Sequence, residues 1–143
     1  MKEVNRLAII PARYNSKRIK KKNIKNFFNK PIIYYSIKSA KKSNLFLKIH
    51  VSSENNQILK ISSSLGIKTD FKRPRHLSKD TTSIIDVLRF VVKEDEKRLE
   101  NFDEIWLVYP CAPLTTSEDL ISAAKIFNKT NKKYPLMTFK EYE

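Results

Sequence analysis

One glycine, one cysteine, one tryptophan and two histidines among 143 residues exclude several kinds of protein at the outset. The lone Cys111 has no internal partner, so no intramolecular disulfide is expected, which suits a reducing cytoplasm. Two histidines and one cysteine, set far apart, offer no zinc-ligand spacing. No apolar run approaches the ~20 residues of a membrane helix. MKEVNR leads into only four strongly apolar residues before Pro11, too few for the core of a signal peptide. Glycine is absent from every segment except Gly66, so no glycine-rich loop can bring backbone amides up to a phosphate.

What is present is positive charge. Against 15 acidic residues stand 29 Lys or Arg, a net +14, in a chain that is 41% hydrophobic and 31% charged. That composition fits one globular domain spanning 1–143. Lys, Asn and Ile are abundant throughout, as AT-rich coding would produce, so the net charge alone names no partner. Its distribution is more telling. Residues 13–25 carry seven Lys or Arg and no acid. A basic nucleic-acid-binding module would spread such charge along a helix face or among stacking aromatics. Here it is gathered after one short apolar strand.

Periodicity places that strand. LAIIPA (7–12) reads as a strand and KPIIYYSIKSAKK (30–42) as an amphipathic helix. LKIHVSS (47–53) reads as a second strand, and ENNQILKISSSLG (54–66) as a helix stopped by Gly66. IKTDF (67–71) is a weak third strand, followed by a loop over 72–80. A helix follows over 81–99 with Asp80 as N-cap, then a buried central strand over 104–110. Residues 117–127 read as a helix whose Glu118 and Asp119 suit its positive end, and YPLMTF (134–139) as a fifth strand. This alternation predicts a doubly wound, mostly parallel α/β sheet. Ligands of such sheets bind beyond the C-terminal strand ends, and the basic loop lies at the first of them.

With no glycine, the loop's side chains must do the binding. Arg13, Lys17, Arg18 and Lys22 offer charged donors, while Asn15, Ser16 and Asn23 offer neutral ones. Such a set suits a triphosphate held loosely and released as pyrophosphate. Elsewhere the residues read as structural. His50 is expected at the surface or satisfied within a strand, His76 solvated in its loop, Cys111 a small packing residue and Trp106 part of the core.

The stretch PARYNSKRIKKKNIK resembles the signature of the acylneuraminate (CMP-sialic acid) and pseudaminic acid cytidylyltransferases. Ala12, Arg13, Ser16, Lys17, Ile19, Lys22 and Asn23 stand where that pattern wants them. KPIIYYSIKSAKKSNLF, IHVSSENNQI, FKRPRHLSKDTTSIIDVL and LVYPCAPLTTSEDL follow in the family's order. The departures are Lys20 for Pro, Asn15 for the Gly before the Ser, and Glu54 for an Asp.

The resemblance implies a Rossmann-like nucleotidyltransferase fold and a reaction that joins CTP to a nine-carbon acidic sugar, releasing pyrophosphate. By that analogy Ala12, Arg13, Ser16, Lys22, Asn23, Arg73, Thr82 and Ser83 bind the nucleotide. Arg13 and Lys22 would also stabilise the leaving pyrophosphate, and Asn23 and Tyr109 would face the sugar. The family is dimeric and uses Mg²⁺. Its metal-binding aspartates and dimerisation arm belong to a C-terminal region that this chain is expected to lack. The alternatives are an inactive nucleotide-binding relative or a nucleic-acid-binding module.

Overall fold

Leu7, Ala8, Ile9 and Ile10 are all wholly buried, as a strand must be when helices cover both of its faces. The computed structural model describes residues 4–130 and 134–139. The chain runs through β1 (Arg6–Pro11), a short hairpin of β2 (Asn26–Phe27) and β3 (Lys30–Pro31), and α1 (Ile33–Lys42). Then come β4 (Lys48–Ser52), α2 (Asn56–Ser64), α3 (Ile84–Glu96), β5 (Glu104–Leu107) and α4 (Ser117–Lys129). The main sheet has the order β4-β1-β5 and is parallel throughout.

Alternation along β1 builds two cores. Ala8 and Ile10 pack with Ile33 and Ile37 of α1, Val51 of β4 and Ile58 of α2. Leu7 and Ile9 pack on the opposite face against Val91 of α3, with Phe71, Leu88 and Phe102 around them. The expected doubly wound α/β architecture is present, with helices on both sides of a parallel sheet.

Four expectations about the strands and the first helix change. Residues 67–71 form no strand. Side chains tie this segment down instead, with Phe71 stacked on His50 and Asp70 paired with Lys48 at 2.8 Å. Residues 134–139 lie outside the sheet, with Tyr134, Met137 and Phe139 largely exposed, so their apolar pattern finds no ladder. β1, not β5, is the middle strand of the described sheet, and Ile105 of β5 is 41% exposed. The helix expected from Lys30 starts at Ile33, because Lys30–Pro31 pair with Asn26–Phe27 around a turn in which Phe28 and Asn29 both have positive φ.

Local signals set the helix ends. Asn55 caps α2 by accepting from the Gln57 and Ile58 amides, and Gly66 follows that helix at φ +79°. Ser83, not Asp80, caps α3, accepting from the Asp86 amide at 3.1 Å. Thr116 and Asp119 form a reciprocal capping box on α4. Trp106 is half-buried rather than central to a core. Its ring packs edge-on against Phe46, and its Nε1 donates to Glu104 at 3.0 Å.

Candidate nucleotide site

From β1 the chain passes to β4 on one side, and from there it crosses to β5 on the other. The crevice at such a reversal, beyond the strand ends, is where open α/β sheets bind ligands. The loop after β1 (12–25) and the turn after β5 (108–115) meet there. The loop before α3 (72–83) closes a third side of a cavity of about 230 Å³.

The basic loop folds without glycine by placing Lys21 at φ +53°, just before a 3-10 turn over Lys22–Ile24. Four hydrogen bonds fasten it. The Ala12 amide donates to the Ser52 carbonyl at 2.9 Å, and the Tyr14 amide donates to Glu54 Oε1 at 2.8 Å. Asn23 closes the loop on itself: its Nδ2 donates to the Arg13 carbonyl at 2.7 Å, while its Oδ1 accepts from Cys111 Sγ at 3.1 Å. The buried Asn23 amide is therefore a brace joining the loops after β1 and β5.

Arg73 holds the third side. It is 5% exposed, its Nη2 donates to the Ser52 carbonyl at 2.9 Å, and Glu54 Oε2 lies 3.7 Å away. Its Nε has no protein acceptor. Burial pulls the guanidinium below its ordinary pKa; Glu54 opposes this and the Arg13 charge adds to it. Arg13 and Arg73 thus feel each other across the cavity, an arrangement that favours an anion between them.

Of the residues singled out in the sequence, Arg13, Ser16, Lys22, Asn23, Arg73, Thr82 and Tyr109 all line this cavity. Ala12 is wholly buried beside it at the end of β1. Ser83 does not line it, and its hydroxyl donates to Asp86 as part of the α3 cap. Tyr109 is well exposed, and Ser36 Oγ–H donates to its carbonyl at 2.8 Å, pinning the end of β5 to α1. Burial raises the Cys111 thiol pKa, so it is not an activated nucleophile.

Two carboxylates that the sequence reading named only as a helix cap (Asp80) and as a departure from the family pattern (Glu54) belong to the site. Glu54 fastens the loop after β1 and faces Arg73; its position at the end of a strand was the available signal. Asp80 pairs with Arg13 and, at 2.9 Å, with Lys17; an isolated acid within KRPRHLSKD was the signal. His50 is also corrected. It is wholly buried, with neither ring nitrogen hydrogen-bonded. No group of three or more His, Cys, Asp or Glu able to hold a metal occurs among the described residues. Asp80 and Glu54 are each tied to cations, so these residues do not fit a Mg²⁺ site. No helix among the described residues is long and apolar enough to cross a membrane.

A wider groove of about 730 Å³ opens elsewhere, where Lys48 begins β4. Its central cation, Lys48, is already bonded to Asp70, Asp95 and Glu100. The 230 Å³ cavity is lined by the cations Arg13, Lys22, Arg73 and Lys79, with Asp80 as the acid among its described lining residues.

The cytidylyltransferase family model matches residues 7–140. The chain belongs to that family. It is 34% identical over 137 residues to a pseudaminic acid cytidylyltransferase of Campylobacter jejuni, covering 96% of this chain and 59% of the relative. It is 30% identical over 126 residues to a CMP-N,N'-diacetyllegionaminic acid synthase of Legionella pneumophila, covering 88% and 54%. The chain thus spans little more than half the length of these relatives. Its fold resembles that of a CMP:2-keto-3-deoxy-manno-octonic acid synthetase complexed with CTP. The TM-score is 0.72 at 18% identity, over 89% of this chain and 48% of the other.

Proposed function

We propose that the cavity binds CTP and that this chain supplies the nucleotide-binding part of a CMP-sugar synthetase. The observation that carries this reading is the convergence of Arg13, Ser16, Lys22 and Arg73 on one crevice at the sheet's reversal point. The triphosphate lies along the loop after β1, and the base lies toward Arg73 and Thr82. Tyr109, at the open end of β5, faces the acceptor. That acceptor is a nine-carbon acidic sugar of the sialic, pseudaminic or legionaminic kind, in keeping with the names of the relatives.

In the reaction, the sugar's anomeric oxygen attacks the α-phosphorus in line. A new P–O bond forms as the bond to pyrophosphate breaks, and the hydroxyl proton leaves to solvent. Arg13 and Lys22 hold the departing phosphates and offset the charge that grows on them. Asn23 contributes by keeping the loops after β1 and β5 in register. The cytoplasm, where CTP is made, is the natural setting.

Titration calorimetry with CTP, UTP, ATP and GTP tests the reading. CTP should bind most tightly, and Arg13→Ala and Lys22→Ala should each weaken it by about tenfold or more, the worth of a charged hydrogen bond. Thermal midpoints should scarcely move, because both side chains lie in a loop. Equal binding of all four nucleotides, or a collapse in stability with affinity intact, would count against it.

A further inference from the structure

Asp80 is the one acid among the described residues that line the cavity. It sits on a turn closed by the Thr82 amide on the Lys79 carbonyl at 3.2 Å. Both arms of that turn are anchored, one by the buried Arg73 on Ser52 and the other by the Ser83 cap of α3. From there Asp80 reaches across to the loop after β1, where Oδ1 accepts from Arg13 Nη1 and Oδ2 lies 2.9 Å from Lys17 Nζ. Each carboxylate oxygen thus engages a different cation, much as two oxygens of a phosphate would.

We propose that Asp80 is an internal anion which ligand phosphates must displace, and that it sets how much negative charge a ligand needs in order to occupy this site. The inference rests on reading the cavity as a phosphate site. A carboxylate cancels one of the two positive charges that Arg13 and Lys17 bring. A ligand with a single phosphate exchanges one anion for another and gains little. A polyphosphate brings several charges and further oxygens that Ser16 and Lys22 can engage, so it wins the exchange. The same carboxylate favours departure of pyrophosphate by re-pairing with the cations it leaves. Lys17 first, and then Arg13, hold the Asp80 carboxyl below its usual pKa, so it stays charged at neutral pH.

The test uses inorganic tripolyphosphate and cytidine as separate probes, titrated with and without Mg²⁺ into the unaltered chain, Asp80→Asn, Asp80→Glu and Asp80→Asn/Arg13→Ala. Asp80→Asn should bind tripolyphosphate about tenfold more tightly or better, and the double variant should lose that gain. Asp80→Glu, which keeps the charge, should stay close to the unaltered chain. Cytidine affinity should remain within about twofold in every variant, because it carries no phosphate. Unchanged or weaker tripolyphosphate binding by Asp80→Asn overturns the proposal; weaker binding is what a carboxylate that orients Arg13 or carries Mg²⁺ would produce. Failure of the CTP reading shows separately, as a lack of preference among the four nucleotides.

Discussion

The guanidinium of Arg73 donates to the carbonyl of Ser52 across 2.9 Å, joining the loop before α3 to the last residue of β4. The Arg73 amide repeats the link one residue on, donating to the Ser53 carbonyl at 3.0 Å. Glu54, 3.7 Å from the same guanidinium, also accepts from the Tyr14 amide. Three segments of the cavity wall therefore meet at one buried cation.

Arg73→Leu should accordingly cost both stability and ligand affinity. It leaves the Ser52 carbonyl short of a donor and Glu54 without its cation, a loss of about 3 kcal/mol when one partner of a buried charged contact is removed. Arg73→Lys should cost less, because a positive charge remains. Urea unfolding of the three proteins gives the comparison. A Leu variant as stable as the unaltered chain would show that the contact holds nothing together.

The parts of this structure readable from sequence are those with a local period. Ile58, Ile61 and Leu65 mark α2, and Gly66 marks its end. Four consecutive apolar residues mark β1, and the density of Lys and Arg marks the loop after it. Contacts made across the chain leave no such trace. Asp80 lies 67 residues from Arg13 and Glu54 lies 40 from Tyr14, so neither pairing could be read from neighbours. The two-residue strands β2 and β3 are too short to show alternation. Residues 134–139 alternate well enough to suggest a strand, but a strand also needs a neighbour to pair with, and the described sheet provides none there.

Lys48 invites a second experiment. Its Nζ is bonded to Asp95 at 2.7 Å, to Asp70 at 2.8 Å and to Glu100. Burial alone would lower its pKa, but bonds to the three carboxylates more than reverse this, so it stays charged. Asp95 is wholly buried, and burial raises its own pKa despite that partner. Lys48→Met should destabilise the chain by about 3–5 kcal/mol, because Asp95 is then left buried with no cation. Lys48→Met/Asp95→Leu should recover much of the loss. Unfolding midpoints of both variants decide the point, and a double variant no better than the single one would place the loss in packing instead of charge.

The last prediction concerns acid. His50 is wholly buried on β4, stacked against Phe71 with centroids 4.4 Å apart, and neither nitrogen is hydrogen-bonded. Burial first, and then the Lys48, Arg73 and Arg98 charges, lower its pKa from 6.5 to about 4, with Asp70 opposing. Above pH 6.5 the imidazole is neutral whether the chain is folded or not. Below that pH the unfolded chain takes up a proton that the folded chain refuses until about pH 4. Stability should therefore fall as pH drops through this window, by about 3 kcal/mol from His50 alone. Nearby carboxylates titrate as well, so the useful quantity is the difference between the unaltered chain and His50→Leu. With no hydrogen bond to lose, the Leu variant should be at least as stable at pH 7, and its advantage should widen steadily toward pH 4. Urea unfolding at pH 7, 5.5 and 4 measures that difference. Parallel curves for the two proteins would mean that the buried imidazole takes up its proton as readily in the folded chain as in the unfolded one.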